Sequence, residues 1–134
     1  MTSAALPLGS TLLAVFVGAG SGACLRYGLN EMLNHRLPSM PLGTLAANLI
    51  GGYLVGLAIA FFAWQSELSP LWRLLVITGF LGGLTTFSAF SAEVVNALLR
   101  GDPVWALVTA AAHLLGSLAL TALGMASVRA AITP

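Results

Sequence analysis

Charge is scarce in this sequence: 134 residues include four acidic and five basic ones, or 7% charged. A soluble domain typically carries about 25%. The net charge of +1 offers no basic or acidic face for nucleic acid or another polyanion, so no nucleic-acid partner is expected. Cysteine is nearly absent as well. Cys24 alone excludes an intrachain disulfide, and its ordinary reading is a small buried apolar residue. Catalytic patterns are missing too: there is no H-E-x-x-H, no G-x-S-x-G and no pair of carboxylates inside a hydrophobic run. The run Gly18-Ala19-Gly20-Ser21-Gly22-Ala23 matches a dinucleotide fingerprint by letter only, because no strand precedes it. Nothing here provides the constellation an enzyme needs.

What the chain has in abundance is apolar surface, with 58% hydrophobic residues and a mean hydropathy of +0.96. This is the composition of an integral membrane protein. Met1 to Gly9 lack the basic region of a secretory signal, and the apolar stretch after them is too long for a signal core, so it reads as a retained span. No low-complexity tract or long linker divides residues 1–134, which are expected to form a single integral membrane domain.

The few charges cut the chain into four hydrophobic blocks. No residue is charged before Arg26, between Arg36 and Glu67, between Arg73 and Glu93, or between Asp102 and Arg129. Each block supplies the roughly 20 apolar residues of a spanning helix. Helices are expected at about 12–34, 42–64, 71–99 and 104–132. The connectors carry turn chemistry: Pro38, Ser39 and Pro41 in the first, Gln65 to Pro70 in the second, and Arg100-Gly101-Asp102-Pro103 in the third. That last run gives a glycine C-cap, an acidic N-cap and a proline at the first helical position. Short loops predict four antiparallel helices.

Gly18/Gly22, Gly52/Gly56 and Gly79/Gly83 are small-residue pairs at i, i+4, which let helix backbones approach closely in lipid. The arginines say something about orientation. Arg73 and Arg129 fall on one side; Arg36 and Arg100 fall on the other, with Arg26 a turn or two inside its helix. A positive-inside bias requires a clear excess on one side. The near balance points to insertion both ways round and so to an antiparallel homodimer.

The segment Gly79 to Glu93, GFLGGLTTFSAFSAE, mixes glycine, threonine, phenylalanine and serine inside a hydrophobic span. Irregular or polar backbone at membrane depth is tolerated only where protein or a cavity covers it. Adjacent Gly82 and Gly83 each weaken a helix by about 1 kcal/mol relative to alanine. A break there would free the carbonyls of Gly82 to Thr85 as a cation site; an intact helix with a packing notch is the equal alternative. Phe87 and Phe90 share one face, and Ser88 and Ser91 the neighbouring one. Ring edges beside hydroxyls can replace part of the hydration of a small anion, although on spacing alone aromatic packing and self-bonded serines are the simpler account.

Asn48 is a lone amide well inside the second span, with Thr44 one turn earlier on its face. It is either interhelical glue or a donor to an anion path. Thr109, His113, Ser117 and Thr121 recur every four residues as a polar stripe on the fourth helix. A histidine in that stripe favours a wet or interhelical face, and no metal cluster accompanies it.

The run Gly82-Gly83-Leu84-Thr85-Thr86-Phe87-Ser88-Ala89-Phe90-Ser91 closely resembles the signature of the Fluc (CrcB) fluoride channels. Gly43-Thr44-Leu45 to Asn48, Gly22 to Arg26 and Gly116-Ser117 also fit, so the resemblance covers nearly the whole chain. It implies a dual-topology antiparallel homodimer in a bacterial inner membrane, with two fluoride pores. Phe87 and Phe90 would line these with ring edges and Asn48 would donate to fluoride. Ser88, Ser91, Thr44, His113, Ser117 and Thr121 would continue a polar track, and Arg26 would sit at a pore vestibule. Carbonyls of Gly82 and Thr85 from both subunits would hold one structural sodium ion, whose hardness suits oxygen ligands. Ala89 departs from relatives that carry a hydroxyl there. Two other classes share the size and helix count: a small dual-topology multidrug antiporter, which needs an embedded carboxylate in its first helix, and a passive membrane assembly subunit.

Overall fold

The computed structural model describes residues 6–133. Met1 to Ala5, part of the segment read as the lead-in to a retained span, lie outside the described residues. Four helical spans are present, each long and apolar enough to cross a membrane. The chain is a multi-pass membrane protein. Helix α1 covers Leu8–Leu33 and α2 covers Leu42–Trp64. The third span is divided into α3, residues 70–84, and α4, Phe87–Leu99. Helix α5 covers Pro103–Ile132. The expected ends hold to within one residue except at α1, which starts at Leu8 rather than near residue 12. Pro7 precedes it and cannot continue a helix backwards, so the helix begins as soon as proline permits.

The loops terminate helices as the turn residues dictate. Gly101 takes a left-handed backbone, φ 78°, after α4. Asp102 then accepts from the Trp105 amide at 3.2 Å, capping α5 with Pro103 in its first turn. Ser69 accepts from the Leu71 amide ahead of α3. Helix α2 is capped from a distance: the Asn34 side-chain oxygen accepts from the Gly43 amide at 2.7 Å.

Within the third span the backbone departs twice from the α-helix. Leu74–Leu81 is a π-helical segment, with one residue more per turn than its flanks. The interruption itself falls at Thr85 (φ −83°, ψ 154°) and Thr86 (φ −150°, ψ 121°), both extended. Gly82 and Gly83 remain helical, so of the two alternatives at the glycines the packing notch is the one present, and the break falls two residues later. The glycines serve packing instead. A β-carbon at Gly83 would run into the backbone of Ala19 on α1, and one at Gly22 into the backbone of Phe80.

Helix α1 lies against α3, and α2 lies along α5, with α4 resting on α5. On the second seam a β-carbon at Gly56 would meet Thr121 backbone, and one at Gly124 would meet Tyr53 backbone. Small residues therefore do on both seams what lipid packing requires. Ala47, Leu81 and Leu84 form the buried centre where the two helix pairs meet. The outer surface is strongly apolar, with Phe16, Phe87, Leu99 and Leu107 largely exposed in the single chain. Cys24 belongs to that outer surface and is exposed, which corrects its reading as a buried residue.

Candidate functional site

The interruption creates a polar demand inside an apolar span. At Thr86 the amide has left the helical ladder and needs a partner, because no water reaches a bilayer core to satisfy it. Asn48, in the second turn of α2, meets that amide and the neighbouring carbonyl as well. Its Oδ1 accepts from the Thr86 amide at 2.7 Å, and its Nδ2 donates to the Thr86 carbonyl at 2.9 Å. This double bond fixes which side-chain atom is oxygen and which is nitrogen. The second Nδ2 hydrogen reaches His113 Nδ1 at 3.0 Å. Since Nδ2 can only donate, His113 Nδ1 must accept, and a neutral imidazole then carries its proton on Nε2.

That Nε2 faces Glu93 Oε2 at 3.8 Å. Both atoms are buried and have no hydrogen-bond partner among the described residues. The Thr44 side chain lies beside the same carboxylate. Phe90 completes the cluster: its ring stacks on His113 with centroids 4.7 Å apart and meets Phe87 edge-on at 5.3 Å and 72°. Phe90 and His113 are buried, at 7% and 3% exposure, whereas Phe87 is 73% exposed. Asn48, Phe87, Phe90 and His113 line a groove of about 420 Å³ together with Gly82, Thr85, Thr86 and Ser117.

The freed carbonyls can be followed one at a time. Gly82 would bond the Thr86 amide in a continuous helix, but that amide is on Asn48. Thr85 would bond the Ala89 amide, but that amide goes to Thr86 Oγ1 at 3.2 Å. Gly83 gains a replacement: Arg26 Nε donates to its carbonyl at 3.2 Å. The guanidinium thus rests on the interrupted span. Gly82 and Thr85, the two carbonyls expected to hold a cation, are among those left without their helical donors.

Other members of the expected track are placed less simply. Ser88 Oγ lies 3.1 Å from Thr86 Oγ1, at the exposed start of α4. Ser91 donates back to the Phe87 carbonyl at 2.9 Å, the self-bonded alternative. Thr121 donates to the Gly52 carbonyl at 3.0 Å, fastening α5 to α2. Thr109 is buried on the same stripe.

Comparison with known proteins decides the family. Residues 13–125 match the family model described as CrcB-like protein, Camphor Resistance (CrcB). The chain belongs to the CrcB family. Curated members similar to it include a Burkholderia cenocepacia protein, 58% identical over 90% of this chain and 94% of the relative. A Burkholderia thailandensis protein and a Burkholderia mallei protein are each 56% identical, over 92% of this chain and 97% of the relative. All three are named fluoride-specific ion channel FluC.

Sequence reasoning on this CrcB chain missed Glu93 as a member of the cluster. It reads in the sequence as the sole acid between Glu67 and Asp102, near one end of its span, whereas the fold sets it 3.8 Å from His113 on α5. The eleven-residue distance from the signature's first glycine carried no such signal. Asn34 was likewise unremarkable as one polar residue at a helix end, and only the fold shows it capping α2.

Proposed function

We propose that this CrcB chain is a fluoride channel of the bacterial inner membrane, one half of an antiparallel dual-topology homodimer with two pores. The observation that carries this reading is the edge-on pair Phe87–Phe90 at the start of α4, seated on the Asn48–His113 cluster. A ring edge is electropositive. Placed beside the Ser88 hydroxyl and the N-terminus of α4, it offers a small anion partial positive charge without a fixed cation that would hold it. Conduction needs sites favourable enough to enter and weak enough to leave. Phe87, Phe90, Ser88, Ser91 and Ser117 would line this path, with Thr44 and Thr121 further along it and Arg26 near its mouth.

Asn48 has a double task in this reading. It staples the interruption, and the hydrogen it gives to His113 is the one available to fluoride. The near-balanced arginines support insertion in both orientations, and the apolar outer faces of α1 and α5 give a second copy a surface to meet. The Gly82 and Thr85 carbonyls, paired with those of the second copy, would hold a structural sodium ion, and the loss of their helical donors makes them fit for it. The ion would supply charge that offsets carbonyl dipoles gathered at the dimer centre.

The physiological logic follows from fluoride chemistry: neutral HF crosses lipid, dissociates inside, and leaves as the anion only through protein. Export is then passive, driven by gradient and potential. A proton-coupled antiporter remains the other class to test, since Glu93 is an embedded carboxylate. Vesicles containing the purified protein, loaded with fluoride and given a potassium diffusion potential, should release fluoride with no proton gradient. Phe87→Ala should stop release while the dimer persists on a sizing column. Release that requires a proton gradient, or normal release through Phe87→Ala, contradicts the reading.

A further inference from the structure

The Asn48 amide has two hydrogens, and both are committed: one to the Thr86 carbonyl and one to His113 Nδ1. The first bond is indispensable to the fold, because it serves a backbone carbonyl at the interruption. The second depends on the charge state of its partner. An imidazole Nδ1 accepts only while it is unprotonated; an imidazolium has donors at both nitrogens and no acceptor.

We propose that His113 is a positioning residue that sets how many donors the anion path presents. Neutral His113 keeps one Asn48 hydrogen on its Nδ1. Protonated His113 can no longer accept it: the imidazole tilts its Nδ1–H away from the pinned amide, and the Asn48 hydrogen is left to the groove with that Nδ1–H beside it. The inference rests on the fluoride-channel reading and assigns a control to the same site. Two features of the surroundings make the exchange workable. Protonation leaves Nε2–H in place, facing Glu93 Oε2 at 3.8 Å, so the new charge has an acid partner across the ring from Asn48. The Phe90 ring stacks on the imidazole face, where a cation is also favoured.

The neighbouring charges are few. Helix α2 contributes no charged group and one titratable one, Tyr53, whose hydroxyl is on Ser127. Helix α4 contributes Glu93, and α5 itself has only Arg129 beyond His113. Arg26 of α1 is on the Gly83 carbonyl. Thr44 beside Glu93 is neutral. Glu93 and His113 are thus the two groups whose ionisation meets at this point.

The experiment has two arms on the reconstituted dimer. In the first, ¹⁵N-histidine spectra are recorded on His35→Gln, which leaves His113 as the remaining histidine of the two. The expected state at alkaline pH is the Nε2–H tautomer with an unprotonated Nδ1; an Nδ1–H tautomer there overturns the proposal. In the second, fluoride efflux is measured across the pH interval over which those spectra show the His113 ring take up its second proton, with protein-free vesicles giving the HF leak; a ring that takes up none down to the lowest pH at which the protein stays folded overturns the proposal. The half-saturating fluoride concentration should fall about tenfold on the acid side, the gain of one charged hydrogen bond. His113→Gln keeps an acceptor for Asn48 and cannot be protonated, so it should show no pH step, whatever its own half-saturating concentration. A pH step that survives in His113→Gln, or a flat profile in a conducting wild type, overturns the proposal alone. No efflux from wild type at any pH overturns the channel reading and this proposal with it.

Discussion

At Asn48 one side-chain amide supplies the partner that the Thr86 amide loses and adds a bond to the Thr86 carbonyl. Removing it leaves the half-buried Thr86 amide unpaired, at about 1–3 kcal/mol. Asn48→Ala should therefore lower the unfolding midpoint in detergent clearly, and an unchanged midpoint would show that the interruption is held by something else. The two phenylalanines should separate fold from function. Phe90 is buried between His113 and Phe87, so Phe90→Ala should cost about 3–5 kcal/mol as well as fluoride flux. Phe87 is 73% exposed in the single chain, so Phe87→Ala should change single-chain packing by less than about 0.5 kcal/mol while flux is lost. Melting curves beside vesicle efflux check the pair together. The amide and the rings were legible as candidates because polar or patterned residues stand out inside an apolar run. Their roles were not. Whether Asn48 is glue or donor depends on which backbone it meets, and that partner lies 38 positions away in the chain.

The helices themselves were written in the charge pattern, and proline, glycine and aspartate mark their ends. The point of interruption was not, because two competing demands fall on adjacent residues. Gly82 and Gly83 have the weaker helix propensity, yet Gly83 is needed in helical form to receive α1 at Ala19. The extended backbone passes instead to Thr85 and Thr86, whose β-branched side chains favour it and whose polar groups Asn48 can satisfy. The seams give a direct prediction. Gly124→Ala and Gly56→Ala would drive a β-carbon into facing backbone and should each destabilise by about 1–3 kcal/mol. Gly20→Ala meets nothing within 4 Å and should be neutral or stabilising by up to about 1 kcal/mol. Equal effects at the three positions in a thermal-shift series would show that the seams are looser than described.

For the whole molecule the balance of arginines is the feature with consequences beyond one chain. Arg36 and Arg100 face one side, opposite Arg73 and Arg129. Arg36→Gln with Arg100→Gln leaves Arg73 and Arg129 opposed only by Arg26 inside its helix, so a single orientation should dominate. If conduction needs two oppositely inserted copies, fluoride efflux from cells should fall with it, and labelling of a terminal tag from each side of the membrane reads the orientation. Efflux that persists from a uniformly oriented population would remove the antiparallel dimer. The most direct measurement of the central claim is ionic selectivity. Purified protein in vesicles, loaded with equal fluoride and chloride and held at one imposed potential, should release fluoride rapidly and retain chloride. Release of both at equal rates, or of neither, would contradict a fluoride path built on Phe87, Phe90 and Asn48.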